Sequence, residues 1–399
     1  MNVLHLSFFY PDEVEPVTTH AIKRLIDCAD AFADNRRISL HMFLPRDGIR
    51  VRAGTGHTIV CERLRAFPYG MRAFLARCAG HLDTVLAKGA AFDLTHAHLL
   101  TMEGELALRI KQRYGVPFVA SVRATDFVLF RFKPYMKRRY LEIVDAAERL
   151  VLIAPWMATG LARVFGREWT EARARKITFL YNIVDGPNRW QPAHNGRYAL
   201  PIVAHRSQLR RKRIKATLRA IALLRDRGHR IELDIFGDGD GMERIARWVG
   251  RYGLRSQVKF IGVLPNDKMI HALSEYKALF LCSMPETFGL VYIEALKAGI
   301  PIVYSAGTGI DGVFPDASIG VAAADRSPNW LADAFVAMEC RHREYKRAVR
   351  ELQTSDALAR FTSRFVEGRL QELYTEAVSV ASGTTAHLPG RQPVGEEVT

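Results

Sequence analysis

Between Lys277 and Tyr304 the chain switches from an apolar run to a polar loop, to a helical pattern, and back to an apolar run, which leaves it few folds. Lys277-Ala278-Leu279-Phe280-Leu281-Cys282 is short and apolar and reads as a buried strand, and Ile300-Pro301-Ile302-Val303-Tyr304 reads as the next one. The intervening helix is expected to begin near Gly289 and to stop at Gly299, a helix-ending residue. A strand–loop–helix–strand unit builds a parallel sheet. The pattern repeats elsewhere. Asn2–Phe8, Ser39–Leu44, Phe92–His98, Val116–Val122, Arg149–Ala154 and Ile177–Tyr181 read as strands in the first half, with a helix from about His20 to Ala33. Pro201–Ala204, Ile231–Phe236 and Val258–Gly262 read as strands in the second. Strands alternating with helices predict doubly wound α/β domains that bind ligands at the carboxyl ends of their strands, and 399 residues suggest two of them.

The loop–helix junction at Pro285–Gly289 is where chemistry is expected. A helix N-terminus presents unpaired N–H groups and partial positive charge, and so binds phosphate. Glu286 lies just before it and Glu294 a little over one turn inside, with seven residues between the two. At ~1.5 Å of rise per residue, the carboxylates bracket a phosphate site. A nucleotide-sugar has the matching layout of sugar hydroxyls, diphosphate and ribose hydroxyls, and carboxylates accept hydrogen bonds from hydroxyls.

With Phe288-Gly289-Leu290 between them and Glu294-Ala295-Leu296-Lys297-Ala298-Gly299-Ile300-Pro301 following, these glutamates resemble the Glu-x7-Glu motif of retaining GT-B glycosyltransferases, in particular glycosyltransferase family 4. The resemblance implies two Rossmann-like domains facing a cleft. An N-terminal acceptor domain would span 1–186 and a donor domain 199–360, with a closing helix near 361–379 that crosses back to the first domain. It implies that Glu286 orients the sugar, Glu294 holds the ribose, and the amides of Phe288, Gly289 and Leu290 meet the diphosphate. His205-Arg206-Ser207-Gln208-Leu209-Arg210-Arg211-Lys212-Arg213 resembles the family's cationic segment, so Arg206 and Lys212 carry over as catalytic cations. Arg213 stands where glycine is usual, and Arg211 is a further donor contact. Fixed cations are what a diphosphate leaving group needs as it gains charge. Val263, after the strand Val258–Gly262, is the expected main-chain contact to the base.

On the acceptor side, His98 and Arg123-Ala124-Thr125-Asp126 sit at strand ends and are expected to face the cleft. The family shows His-Gly-Thr-Asp or similar in place of the latter. Histidine exchanges protons near neutrality and arginine does not, so Arg123 reads as a clamp for a phosphate or an acidic group, or as a partner of Asp126. The loop Tyr10–Thr19, glycine-rich in the family, has no glycine here. Gly237-Asp238-Gly239-Asp240-Gly241 reads as a turn, although Asp238-Gly239-Asp240 mimics an Asp-x-Asp metal motif. Ala306–Gly312 is a glycine-rich strand-end loop. No metal and no cofactor are expected, since the nucleotide-sugar is itself a substrate.

The net charge of +15 attracts anions without choosing among them. Phe130–Tyr140 interleaves cations with aromatics, which suits an anionic membrane surface and a lipid-linked acceptor. Five scattered cysteines show neither metal spacing nor a disulfide framework, no run reaches a membrane span, and the first residues lack a signal pattern. The expected setting is the cytoplasm, peripheral to the membrane. Residues 382–399 read as a disordered tail. The expected activity is transfer of a sugar from a UDP- or GDP-linked donor to a saccharide or lipid-linked hydroxyl, in polysaccharide, lipopolysaccharide or glycolipid assembly. A sugar-nucleotide epimerase shares the donor site. A glycosidase leaves the cationic grip without purpose, and a nucleic-acid binder rests on charge alone.

Overall fold

A computed structural model describes residues 1–15, 20–45, 47–65, 70–87, 91–132, 134–202, 205–325 and 327–383, with the backbone alone at Asn266. Two sheets organise it. The first contains β1 (Asn2–Ser7), β2 (Asp34–His41), β3 (Val51–Ala53), β4 (His57–Cys61), β5 (Leu94–Ala97), β6 (Phe118–Val122), β7 (Arg149–Leu152) and β8 (Ile177–Phe179). Their order is β3-β4-β2-β1-β5-β6-β7-β8, parallel throughout except for β3 against β4. The second contains β9 (Tyr198–Pro201), β10 (Leu233–Phe236), β11 (Val258–Gly262), β12 (Ala278–Phe280), β13 (Ile302–Ser305) and β14 (Gly320–Ala323), in the order β11-β10-β9-β12-β13-β14. Helices cover both faces of each sheet, which is why strands such as β6 and β10 are buried at every position. The order reverses at β1/β5 and at β9/β12, and ligands of doubly wound sheets bind at such reversals.

Tertiary pairing moved several expected boundaries. The second strand is Asp34–His41 rather than Ser39–Leu44, because β1 pairs with it from Asn2 opposite Asp34. The first helix ends at Ala29, not near Ala33. Strand β9 starts at Tyr198, opposite Leu233, instead of at Pro201, and Val203 and Ala204 lie outside the described residues. Strands β3 and β4 were not expected at all. Their sequences are short and polar-flanked, and they are held by pairing to β2 rather than by their own pattern.

The chain passes between the two sheets twice, and the passages run side by side, with Val184 N donating to Phe361 O at 2.7 Å. After the second passage the helix Ser363–Ala381 lies on the first sheet. Its Val366, Leu370, Leu373 and Tyr374 form one buried cluster with Val3, Leu94, Val119 and Val151. The proposed tail lies outside the described residues from position 384 onward. Among the described residues no helix is long and apolar enough to cross a membrane.

Candidate functional site

The reversal point of the second sheet brings two loops together. One follows β9 and carries Arg206, Arg211 and Lys212; the other follows β12 and carries Glu286. Lys212 Nζ lies 3.2 Å from Glu286 Oε2. Met284 N donates to Arg211 O at 2.9 Å, and an Arg211 amino group donates to Pro285 O at 3.4 Å. Glu286 is only 8% exposed. Burial pushes its carboxyl up, but the charges of Lys212 and Arg211 outweigh that and hold it below the ordinary value. It is therefore an ionised acceptor with a cation beside it.

The loop is fixed from behind. Thr308 Oγ1 accepts from Glu286 N at 2.9 Å and donates to Glu286 O at 2.8 Å, and Gly309 N donates to the same carbonyl at 3.0 Å. A Cβ on Gly309 would press Glu286 Cγ at 3.3 Å, so the expected glycine-rich loop serves as the seat of Glu286. Gly289 begins the helix Leu290–Lys297 with φ of 81°, and a Cβ there would stand 2.5 Å from the Tyr292 ring. The Phe288 side chain is buried against Tyr181 and Phe361, which leaves the backbone of the helix tip as the part that can meet a ligand.

Arg206 sits apart from this pair. Its backbone N and its Nε both donate to Asp240, at 2.8 and 2.9 Å. The structure thus brings Lys212 and Arg211 to Glu286 and holds Arg206 on the turn after β10, whose Asp240 is engaged with it. Arg213, in the usual glycine position, has φ of 56° and is the one non-glycine residue of positive φ among the described residues. Val263 is 68% exposed beyond the end of β11.

Glu294 opens on a separate cavity of about 600 Å³ between the domains, lined also by Arg24, Cys28, Val184, Ile270 and His271. Burial pushes its carboxyl up to about 7, and the Arg24 charge opposes that rise. Arg24, on the first helix, is a cleft residue that the sequence did not announce. A second is Trp156, at the turn after β7. Its indole N–H donates across the cleft to Thr287 O at 3.2 Å, directly beside Glu286.

On the first domain, expectation and structure part. His98 and Asp126 are fully buried and do not line an open cleft. Asp126 accepts from the amides of Leu100, Thr101 and Arg123 and from Thr101 Oγ1, so it braces two strand-end loops. His98 Nε2 lies 3.1 Å from His5 Nδ1, and His5 Nε2 lies 2.9 Å from Asn35 Oδ1. His96 bridges Tyr374 Oη and Ser121 Oγ at 2.6 and 2.9 Å. The facing nitrogens of His5, His96 and His98 lie within 4.8 Å of one another, and burial pushes all three rings below the ordinary histidine value. Arg123 is 7% exposed, with Nε donating to His98 O at 2.9 Å.

Phe132 and Tyr135, of the aromatic–cationic stretch, are about 60% exposed, and the Arg138 side chain is almost wholly so. Lys133 lies outside the described residues. Next to them a groove of about 480 Å³ has an apolar floor that includes Met71, Leu75, Met102 and Leu129.

Known proteins share this frame. Residues 187–351 match the family described as Glycosyl transferases group 1. The glycosyltransferase YqgM of Bacillus subtilis is 22% identical over 390 residues, covering 94% of this chain and 97% of that one. The D-inositol 3-phosphate glycosyltransferase of Streptomyces scabiei is 26% identical over 296 residues, 67% of this chain and 62% of its own. Among solved structures, sucrose-phosphate synthase of Thermosynechococcus elongatus has a TM-score of 0.70 at 18% identity, covering 95% of this chain and 99% of that one. Anabaena HepE in complex with UDP-glucose has a TM-score of 0.62 at 18% identity, covering 94% and 99%. Two doubly wound domains of GT-B fold, the second matching the group 1 transferases, make this chain a glycosyltransferase.

Proposed function

We propose that the chain moves a sugar from a nucleotide-sugar to an acceptor hydroxyl with retention of anomeric configuration, as in glycosyltransferase family 4. The observation that carries this reading is the Lys212–Glu286 pair at the tip of the helix Leu290–Lys297, seated by Thr308 and Gly309. Glu286 accepts hydrogen bonds from the sugar hydroxyls. Lys212, Arg211 and the amides at Gly289 and Leu290 receive the diphosphate as the bond from the anomeric carbon to its oxygen breaks. Arg206 joins them when Asp240 releases it. The acceptor oxygen attacks from the face the diphosphate leaves, and a diphosphate oxygen takes the acceptor proton, so no side-chain base is needed. Glu294 holds the ribose in the neighbouring cavity, and the backbone at Val263 borders the base.

HepE has been solved with UDP and with UDP-glucose, which favours UDP over GDP as the nucleotide here. The first domain is assigned the acceptor, a saccharide or lipid-linked saccharide of polysaccharide, lipopolysaccharide or glycolipid assembly. The exposed Phe132, Tyr135 and Arg138 suit an anionic membrane face bearing such an acceptor. No metal takes part in this scheme, and turnover is expected to survive chelation with EDTA. The reading is tested by melting the protein with UDP, GDP and ADP, since a ligand of the native state raises the melting temperature. UDP is expected to give the largest rise. No rise with any nucleoside diphosphate would overturn the reading. A donor product of unchanged mass, with no acceptor adduct, would assign an epimerase instead.

A further inference from the structure

Arg123 stands at the carboxyl end of β6, next to β7, whose following turn reaches across the cleft through Trp156 to Thr287. Adjacent strands lie ~4.8 Å apart. Arg123 therefore stands at the same carboxyl-end edge of the sheet as that turn, and it is more than nine-tenths buried there. A buried guanidinium normally has a carboxylate in contact with it. Among the described residues none lies within the 4.0 Å of an ion pair with Arg123. Its two nearest acids, Glu103 and Asp126, act on it through their charge but make no hydrogen bond to the guanidinium. Asp126 spends its oxygens on the four donors from Leu100, Thr101 and Arg123 N, and Glu103 accepts from Phe8 N at 2.9 Å. Burial pushes the Glu103 carboxyl well up, so that it is a weak counter-charge. The Arg123 guanidinium is nonetheless held still, by its Nε on His98 O. That bond leaves the two terminal amino groups, the end that grips an oxyanion in bidentate fashion.

We propose that Arg123 binds a carboxylate carried by one of the two transfer substrates, so that either the transferred sugar or the acceptor is a uronic acid. This rests on the transferase reading above and narrows its substrate class. Lysine in that position would supply charge without the planar fork, and a neutral side chain would supply neither.

The test compares UDP-glucuronate with UDP-glucose by calorimetry, and free glucuronate with glucose in the presence of UDP, on the wild type, Arg123→Lys and Arg123→Met. The expected result is a preference of at least about tenfold for the acid in one of the two arms. The donor pair showing it makes the sugar acidic; the free-sugar pair showing it makes the acceptor acidic. Arg123→Met abolishes the preference and Arg123→Lys keeps part of it, while both bind UDP alone as the wild type does. No preference for the acid in either arm, or a preference that survives in Arg123→Met, overturns the proposal. Failure of UDP itself to bind the wild type would instead sink the transferase reading. Melting curves of both variants establish that they are folded, and Arg123→Lys carries the comparison if the methionine variant is not.

Discussion

Replacing Glu294 by glutamine is expected to change stability in a way that depends on pH. The carboxyl rises from 4.5 to about 7 because it is buried, with Arg24 only partly relieving the cost. Its folded value lies above its unfolded one, so the native state binds the proton more tightly. Its stabilising contribution is complete below the unfolded value and is lost as pH climbs through the folded one. The rise from 4.5 to about 7, at ~1.4 kcal/mol for each tenfold, sets an upper bound of about 3 kcal/mol, and the opening of Glu294 onto the cavity lowers this to about 2 kcal/mol. Glutamine keeps the shape and loses the titration. Glu294→Gln should therefore gain on the wild type by about 2 kcal/mol between pH 4.5 and pH 8, or on the order of 4–8 °C in melting temperature for a domain of this size. Differential scanning at the two pH values measures it, and taking the variant-minus-wild-type difference cancels every other titrating group. A difference that is equal at both pH values would refute the burial argument. The same titration should favour ribose binding. The stabilisation by UDP is expected to grow more steeply from pH 6 to pH 8 in the wild type than in the variant, where only the nucleotide's own phosphate titrates.

Other outcomes follow from the same geometry. Lys212→Ala should cut turnover by ~10²-fold or more, both because charge stabilisation of the diphosphate is lost and because Glu286 is left buried without its cation; steady-state rates with the correct substrate pair measure it. Gly289→Ala should cost at least ~1–2 kcal/mol, since the residue has φ of 81° and its new methyl would meet Tyr292. It should weaken UDP binding along with stability, which calorimetry and thermal melting read separately. At position 213 both Gly and Ala remove the arginine side chain, but only glycine takes φ of 56° without cost. Arg213→Gly should exceed Arg213→Ala in stability by ~1–2 kcal/mol by denaturant titration.

What the sequence disclosed depends on how local the physics is. The unit around Glu286 was legible because its parts are neighbours in the chain: an apolar strand, a glycine that starts the helix, another that follows its end. The strand Val258–Gly262 was read to the residue for the same reason. Long-range contacts were not legible. Asp126 looks like an open cleft acid in sequence, yet the donors that enclose it come from Leu100 and Thr101, about 25 positions earlier. Arg24 and Trp156 carry no motif; they matter because the first domain folds them against Glu294 and Thr287. Strands β3 and β4 exist because β2 offers them an edge. Arg206 kept its place in the motif but takes Asp240 as its partner, a choice that only the turn after β10 decides.

A diphosphate is expected to settle at the tip of the helix Leu290–Lys297, and a crystal grown with UDP addresses that directly. It should show the diphosphate within hydrogen-bond distance of Lys212 Nζ and of the backbone N–H groups at Gly289 and Leu290, with the ribose hydroxyls on Glu294. UDP bound elsewhere, or a helix tip still closed by the Lys212–Glu286 pair at saturating nucleotide, would contradict it.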